Sequence, residues 1–173
     1  MDAMDAILSR RSIRRYTGEP VPETAIREIL AAAMSAPSAG DERPWHYVVV
    51  TDRAVLAEVP RFHPHARMVP EASAAILVCG DPALEKHPGF WVQDCSAATQ
   101  NILLAACAKG LGAVWVGIYP LEDRVAAARS LFGLPGRVVP LALVPLGVPA
   151  VRKAREDRFD AGRIHRDRWG AGW

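Results

Sequence analysis

The alternation of apolar and polar positions divides the chain into four helical and four extended segments. Helical spacing, with apolar residues at i, i+3, i+4 and i+7, is clearest over 22–34, where Pro22 suits the first turn and Pro37 stops the helix. Aromatic and β-branched residues are concentrated over 45–50, as is typical of a strand. The predicted helices are 5–11, 22–34, 90–109 and 121–131, and the predicted strands are 45–50, 74–78, 112–117 and 138–146.

Two of these segments carry further expectations about packing. The helix at 90–109 is apolar on more than one face, so we expect it to be buried nearly all round, with its alanines allowing close approach by another helix or by a second copy of the chain. Within it, we expect Asp94 to bind an arginine or a backbone group and not to act as a catalytic acid. The strand at 138–146 contains Pro140 and Pro145, and because proline cannot donate to a sheet ladder, we expect an edge strand or an interrupted one.

Length and composition indicate a single globular domain in a reducing compartment. The chain has 173 residues, of which 50% are apolar, and this is enough to bury a core. Basic and acidic residues nearly balance, 21 against 19, so a polycationic nucleic-acid-binding protein is not indicated. Three cysteines without metal-binding spacing, and acidic residues where a secretory signal would be basic, favour a cytoplasmic location. The longest uncharged stretches, 95–108 among them, are shorter than the ~20 residues needed to cross a bilayer.

The most concentrated chemistry lies at residues 10–16, where four arginines and a serine occur in the sequence RRSIRRY. Guanidinium groups bind phosphate through paired hydrogen bonds, so the segment indicates a site for an anion. An ordinary basic surface at a helix C-terminus explains the same residues, and the segment alone does not decide between the two.

The last part of the chain is also basic. Residues 152–168 contain seven Lys or Arg against four Asp or Glu and few aliphatic residues, which predicts an extended tail. The tail ends in Trp169 and Trp173. Two indoles without a core of their own predict docking, either on a partner subunit or back onto the same domain.

Several familiar catalytic motifs do not occur in the sequence. Gly110 and Gly112 begin a dinucleotide-type pattern, but its third glycine is replaced by Trp115, and the pattern follows a helix instead of a strand. No GxxxxGK[ST], GxSxG or HExxH motif is present. His63 and His65 lack further ligands at metal-binding spacing, so we expect surface or pocket-lining histidines and no metal ion.

Three separated segments offer cations, hydroxyls and accessible backbone to an anionic ligand, namely 10–14, the loop 37–41 and residues 153–155. Together with APSAGDERPWHYVVV (36–50), DCSAATQNILLAACAKGLGAVWVGIYP (94–120) and PLALVPLGVPA (140–150), they make the chain resemble the nitroreductase family of flavin mononucleotide (FMN) enzymes. The resemblance extends over nearly the whole chain, with the segments in the same order and spacing.

The resemblance implies a three-layer α+β fold, in which helices flank a mixed, mainly antiparallel central sheet. It implies one FMN-binding domain over 1–173, whose C-terminal arm, 151–173, is exchanged with the partner in a homodimer. Two FMN molecules would lie at the dimer interface, each contacted by both chains, and the helix at 94–109 would contribute to the interface core.

The resemblance also assigns the FMN-binding residues on one side of the cofactor. Arg14 is expected at the pyrimidine edge near N1 and O2, where a fixed cation favours the negatively charged reduced flavin. The residues expected to hold the phosphate and the ribityl chain are Arg10, Arg11, Ser12, Lys153 and Arg155.

The opposite side of the flavin and its ring edge are assigned in the same way. Trp115, Val116 and Gly117 would line the ring, with the backbone N–H of Gly117 near N5, the hydride acceptor. The family loop usually has Asn, any residue and Gln before Pro-Trp, whereas this chain has Asp41 and Arg43, which we hypothesise form a compensating ion pair. The loop residues expected to approach the partner's flavin are Pro37, Ser38, Ala39 and Asp41.

The implied reaction is a ping-pong hydride transfer, in which NADH or NADPH reduces the flavin at N5 and an electron-poor acceptor such as a nitroaromatic or a quinone is then reduced. Three alternatives stay open from the sequence: dehalogenation or dehydrogenation in the same fold, a non-catalytic flavin-binding protein, and a nucleic-acid-binding protein that uses the basic segments. We expect neither a nucleic-acid nor a membrane partner. The sequence does not distinguish NADH from NADPH or one-electron from two-electron transfer.

Overall fold

A computed structural model of the chain describes residues 1–172. It contains five α-helices and five strands in the described part of the chain. The helices are α1 (Ala3–Ser9), α2 (Glu23–Met34), α3 (Arg53–Phe62), α4 (Trp91–Ala108) and α5 (Glu122–Phe132). The strands are β1 (Trp45–Val50), β2 (Ala74–Gly80), β3 (Gly112–Ala113), β4 (Val116–Gly117) and β5 (Val139–Gly147).

Most predicted elements are confirmed within a few residues of their predicted ends, with two differences. Helix α3 was not predicted; it is amphipathic, with Leu56 and Val59 buried, and its N-terminus is capped by the side chain of Asp52. The strand predicted over 112–117 is two short strands, β3 and β4, with a break at residues 114–115. The Pro22 expected in the first turn of α2 is its N-cap residue.

The five strands form one sheet in the order β1-β2-β5-β3, with β4 also paired to β5. Every strand ladder in the described part of the chain is antiparallel. The parallel component is a single bridge between Ser12 and Ala113, which attaches the segment after α1 to the outer side of β3. The sheet is therefore mixed but mainly antiparallel, as the resemblance implied.

Strand β5 is central, so of the two alternatives the edge strand is wrong, whereas the ladder to β2 is interrupted by a register shift. β5 pairs with β2 on one side and with β3 and β4 on the other. β3 pairs with residues 146–147 and β4 with residues 142–143, so Pro145 lies opposite the break between the two short strands and no regular ladder bond is lost there. Pro140 lies at a register shift between β2 and β5. Pro145 is tolerated because of the break between β3 and β4, and Pro140 because it lies next to an extra residue, Leu141, in β5 itself.

The core consists of two clusters, one on each face of the sheet. β2 is buried along its whole length and its successive side chains alternate between the clusters. One cluster contains Leu77 with residues of α3 and α5, and the other contains Ile76 with residues of α2 and α4. Helices thus cover both faces, which makes the three-layer arrangement that the resemblance implied.

Helix α4 is buried along one side only, so the expectation that it is buried nearly all round is wrong for the single chain. Its buried positions face the sheet and α2, whereas Gln93, Gln100 and Ala108 are exposed. Nearby, α1 also exposes Met4 and Ile7. Within residues 1–172, no helix combines the length and the apolar character that crossing a bilayer requires.

Candidate functional site

The basic segment 10–16 runs along the edge of the sheet and is fixed there by Ser12, Ile13 and Tyr16. Ser12 forms the parallel bridge with Ala113, and the N–H of Ile13 donates to the carbonyl of Ala113 at 2.9 Å. The side chains of Ile13 and Tyr16 are buried, and the hydroxyl of Tyr16 donates to the carbonyl of Ile13 at 3.0 Å. Arg14, between them in sequence, is left exposed.

Two glycines make this close packing possible. Gly112 of β3 and Gly147 of β5 are register partners beneath the segment. A Cβ on Gly112 would lie 2.7 Å from Cγ2 of Ile13, and a Cβ on Gly147 would lie 2.7 Å from Cδ1 of Tyr16. Any side chain at either glycine would therefore push the basic segment away from the sheet.

Next to this segment is an open cleft of about 420 Å³, between the end of α1, the end of α4 and the start of the tail. Arg10, Arg11 and Lys153 all line it. The structure thus brings together residues from two separate segments that were predicted to bind a phosphate. The apolar part of the lining includes Ile13 and Leu111. A cationic rim over an apolar floor suits an anionic group attached to a flat aromatic ring.

Arg11 organises the cleft through the backbone. Its Nε donates to the carbonyl of Ala154 at 2.9 Å, and its Nη1 donates to the carbonyls of Leu8 and Arg10 at 3.1 and 2.8 Å. These bonds hold the tail beside α1 and so place Lys153 near Arg10. The remaining guanidinium nitrogen, Nη2, is buried and has no hydrogen-bond partner among the described residues. A buried, unpaired cationic donor is costly, and an anionic ligand in the cleft would satisfy it.

Two of the predicted cations lie in neighbouring clefts. Arg155 lines a second cleft on the other side of the tail, together with Arg10 and Arg11. Arg14 lines a third cleft, with His65 and Arg67 among its neighbours. The predicted cations therefore line three clefts and do not converge on a single point.

The loop at residues 38–43 has an unusual backbone. Gly40, Asp41 and Arg43 all have positive φ, at 53°, 55° and 47°. The N–H of Arg43 donates to Oγ of Ser38 at 3.1 Å. The Arg43 guanidinium binds both carboxylate oxygens of Asp41, at 2.6 and 2.9 Å, so the hypothesised ion pair is present. Asp41 and Arg43 are each non-glycine residues in the left-handed region, a strained conformation that the pair helps to hold.

A buried pair of carboxyl groups connects this loop to α4. Asp94 accepts a hydrogen bond from the N–H of Ala39 at 3.1 Å, which confirms the expectation that it binds a backbone group. Glu42 accepts from the N–H groups of Lys86 and His87 at 2.7 and 3.1 Å. The remaining oxygens, Oδ2 of Asp94 and Oε1 of Glu42, are buried and have no hydrogen-bond partner among the described residues.

The pKa values of the two carboxyl groups are shifted in opposite directions. Burial raises the pKa of Asp94, and the neighbouring Glu42 carboxylate raises it further. Burial also disfavours the charged form of Glu42, but the backbone donors outweigh it and the pKa of Glu42 is lowered. Of the two carboxyl groups, Asp94 is therefore the one that binds a proton more readily, and its hydrogen bond from Ala39 anchors the loop to α4.

A single chain does not bring the loop and the basic segment to one ligand. The loop is attached near the start of α4 at Asp94, whereas the cleft is lined by Cys107 near the end of that helix. At 1.5 Å per residue these positions are about 20 Å apart along α4. The predicted residues Pro37, Ser38, Ala39 and Asp41 thus face a different region from Arg10 and Lys153.

The N–H and C=O groups of Gly117 point away from β5, the strand with which β4 pairs. The N–H of Ile118 donates to the carbonyl of Leu141 in β5 at 3.0 Å, so the preceding residue, Gly117, has its own N–H and C=O pointing outward. Its carbonyl accepts hydrogen bonds from Nε2 of His63 at 2.8 Å and from Nη1 of Arg124 at 3.3 Å. This leaves its N–H for a ligand. Of its neighbours, Val116 packs its side chain into the core and Trp115 is half-buried.

Sequence reasoning missed two residues near the candidate site, Glu42 and Arg124, and it expected His63 on the surface or lining a pocket, whereas His63 is buried. One signal was available for Arg124, which lies in the first turn of α5, where the helix dipole disfavours a cation. For His63 and Glu42, sequence offers no comparable signal, because their burial depends on how distant segments pack.

The C-terminal tail lies outside the core of its own chain. Residues 152–163 are exposed, and Phe159 and Trp169 are 73% and 91% exposed. Trp169 stacks against His165 of the tail itself, with ring centroids 4.3 Å apart. Of the two docking alternatives, folding back is therefore not seen for Trp169; Trp173 lies outside the described residues.

Other candidate chemistry is limited. Among residues 1–172, no group of three or more His, Cys, Asp or Glu side chains is arranged to hold a metal ion. His63 is buried and His65 exposed, with their rings 6.1 Å apart. The cysteines are free thiols, and burial raises the pKa of Cys79 to about 12.

Comparison with known proteins identifies close relatives. The profile of the nitroreductase family matches residues 7–87 and 68–148. A protein of Methanothermobacter thermautotrophicus with the provisional name NADH dehydrogenase/NAD(P)H nitroreductase is 56% identical over 169 residues, covering 98% of this chain and 88% of the relative. A Bacteroides thetaiotaomicron crystal structure with the same provisional name is 44% identical, with a TM-score of 0.93 over 96% of this chain and 98% of that one. A provisional nitroreductase from Desulfovibrio desulfuricans, solved in complex with FMN, is 32% identical, with a TM-score of 0.82 over 98% of both chains.

Proposed function

The chain belongs to the nitroreductase family, and from this premise we propose that it is an FMN-dependent oxidoreductase that passes hydride from NADH or NADPH to an electron-poor acceptor. The acceptor class that suits such a site is a nitroaromatic or a quinone. The observation that carries the proposal is the cationic cleft, where Arg10 and Lys153 meet around the unpaired Nη2 of Arg11. A relative that is 32% identical over the length of both chains was solved with FMN, which supports the choice of cofactor.

The residues present fit FMN. Arg10 and Lys153 border the cleft, and Arg11 has an unused buried donor. Ser12 lies at the edge of β3, beside the cleft, where its hydroxyl suits the ribityl chain. Arg155 lines the neighbouring cleft and extends the positive field along the tail. In the proposed enzyme these five residues bind the phosphate and the ribityl chain.

FMN, when bound, supplies N5 as the atom that accepts hydride and later gives it up. Gly117 contributes a backbone N–H at the outer edge of β4, which orients N5 in the proposed site. Arg14 is exposed and has no hydrogen-bond partner among the described residues, so its charge is available to the pyrimidine edge of the ring. A fixed cation at that edge stabilises the negative charge of reduced flavin.

We further propose that the active form is a homodimer with FMN at its interface. The loop at 37–41 and the basic segment lie about 20 Å apart along α4 in one chain, so both reach one flavin only if the loop comes from a second copy. The tail supports this arrangement, because Phe159 and Trp169 are exposed and need an apolar surface. In the dimer, residues 151–173 would extend along the surface of the partner subunit.

The visible absorption spectrum of the purified protein tests cofactor and activity together. We expect flavin bands that are bleached by NADH or NADPH under anaerobic conditions and restored by a nitroaromatic or a quinone. A colourless protein whose affinity for DNA falls steeply with salt would overturn the proposal in favour of nucleic-acid binding. Bound flavin that neither nicotinamide bleaches would indicate a non-catalytic flavin-binding protein. Bleaching without reoxidation by any nitro or quinone compound would indicate a different flavin reaction.

The dimer is tested by sedimentation equilibrium. We expect Trp169→Ala to weaken the dimer, because the indole is 91% exposed and its ring contact is with His165 of the same tail and not with the core. Val49→Ala is the matched control, since Val49 is also exposed but lies on the outer strand β1, at the far edge of the sheet from β3. Equal dimer constants for the two variants would contradict the role given to the tail.

A further inference from the structure

His63 is a buried histidine that contacts the backbone of Gly117 and has no role in the proposed reaction so far. It is 2% exposed and lies at the C-terminal end of α3, directly after Phe62. Its Nε2 lies 2.8 Å from the carbonyl oxygen of Gly117. A carbonyl oxygen only accepts hydrogen bonds, so this contact requires the proton to be on Nε2. The contact thereby fixes the tautomer of the ring.

Arg124 completes the contact from a third element. Its Nη1 donates to the same Gly117 oxygen at 3.3 Å and lies 3.1 Å from Nε2 of His63. Burial lowers the pKa of His63, and the Arg124 charge lowers it further, which together outweigh the hydrogen bond to Gly117. The imidazole is therefore neutral at physiological pH, and the carbonyl receives one neutral donor and one cationic donor.

This arrangement is specific to one peptide position. In an extended strand the N–H and C=O of a residue point toward the same edge, so fixing the carbonyl of Gly117 also fixes the direction of its N–H. Gly117 needs such support because β4 has only two residues and glycine is conformationally free. Without the two donors, only the neighbouring bonds to β5 would hold this end of the strand.

We propose that His63 and Arg124 are positioning residues that hold Gly117 so that its N–H faces the hydride-accepting atom of the flavin. The inference rests on the proposed function, because it takes Gly117 to lie against N5. His63 and Arg124 do not touch the cofactor in this scheme. They act through the backbone of β4, and their contribution is the orientation of one N–H donor.

Hydrogen–deuterium exchange of the Gly117 amide, with and without FMN, reads out that orientation independently of turnover. In the wild-type protein we expect FMN to slow exchange of this amide at least tenfold. His63→Leu removes the donor and keeps an apolar side chain of similar size, and we expect it to lose most of this FMN-dependent protection. His63→Gln can place an amide N–H near the position of Nε2, and we expect it to restore the protection. Arg124→Leu removes the second donor without opening the core and should give a smaller loss.

The matched control is His65→Leu, which removes the neighbouring exposed imidazole that makes no hydrogen bond to Gly117. We expect FMN to protect the Gly117 amide in this variant as it does in the wild type.

The rate of flavin reduction by NADH, measured in single turnover at saturating NADH, should fall about tenfold in His63→Leu, whereas the Kd for FMN should stay within twofold. A loss of FMN affinity in step with the rate would indicate a general structural effect and would overturn the positioning role.

The possible outcomes distinguish a failure of the proposed function from a failure of the positioning role. A wild-type protein that does not bind FMN would refute the proposed function. FMN binding without protection of the Gly117 amide in the wild type would refute the placement of Gly117 against the flavin, while leaving the flavoenzyme proposal intact. Protection in the wild type that persists unchanged in both His63→Leu and Arg124→Leu would refute the positioning role alone.

Discussion

The substitution Gly112→Ala tests how the basic segment is seated on the sheet. Gly112 is the first residue of β3, and the segment that carries Arg10 to Arg14 crosses directly over it. A Cβ at this position would lie 2.7 Å from Cγ2 and 3.0 Å from Cβ of Ile13, and 3.3 Å from Cβ of Pro149. All three atoms are close to the backbone, so a simple rotation of a flexible side chain does not relieve the contact.

The size of the effect follows from these distances. Carbon atoms in ordinary contact are about 3.5–4.0 Å apart, so Ile13 must move by roughly 1 Å. Ile13 is β-branched, which restricts its side-chain rotamers, and its N–H is bonded to β3, so the backbone of the segment has to move with it. Overpacking of this kind costs about 1–3 kcal/mol. For a chain of this length that corresponds to a fall in Tm of roughly 2–12 °C.

The assay compares Tm and FMN affinity with those of Gly136→Ala. Gly136 is the matched control, because its φ is not positive and a Cβ there would meet no atom within 4 Å. We expect Gly112→Ala to lower Tm and to weaken FMN binding about tenfold, since Arg10, Arg11 and Ser12 move with Ile13. Gly136→Ala should change neither quantity. If the two variants have the same FMN Kd, the basic segment does not depend on Gly112 for its position, and the reasoning is wrong.

Three further predictions concern the loop anchor, the cleft and the flavin potential. Asp94 has a raised pKa, so the stability it contributes is present at low pH and is lost as pH rises through that pKa; Asp94→Asn, which cannot ionise, should remove this loss in urea unfolding, and an unchanged pH profile would refute the role given to Asp94 in the pH dependence. Cys107 is half-buried and lines the cleft, so a thiol reagent should modify it before the two buried cysteines, and FMN should slow that reaction; equal rates with and without FMN would contradict the location of the cofactor. Arg14→Gln should lower the midpoint potential of bound FMN by on the order of 30 mV, equivalent to a tenfold change in a two-electron equilibrium, whereas Arg15→Gln should leave it unchanged; equal potentials would show that Arg14 is ordinary surface.

Much of the fold could be predicted because its main elements have strong local patterns. The apolar stripe of α2 and the β-branched run of β1 each indicate one type of element without reference to the rest of the chain. The position of β5 could not be predicted in this way. The rule that proline is confined to edge strands concerns lost ladder bonds, and the break opposite Pro145 is a property of β3 and β4.

The candidate site was predictable where residue type alone carries the chemistry. Arg10 and Lys153 are 143 positions apart in the sequence, yet both were assigned to one anion site, and the structure places both around one cleft. The hydrogen bonds that bring them together were not predictable. Arg11 was expected to bind phosphate, and the structure shows that its Nε and Nη1 make three hydrogen bonds to backbone carbonyls, one of them to Ala154 in the tail. A guanidinium group suits both roles, and only the packing decides how its donors are divided.

The loop shows why a position-by-position comparison with a family pattern is incomplete. Taken singly, Asp41 and Arg43 each introduce a charge where the pattern has a neutral amide. In the structure the two charges bind each other through both carboxylate oxygens, so the pair adds no net charge to the loop. The pair is mostly exposed and contributes little to stability. Its consequence is conformational, because it joins two residues that both have positive φ. The two departures are therefore one coupled change, in which an ion pair replaces two amides without adding charge beside the proposed flavin.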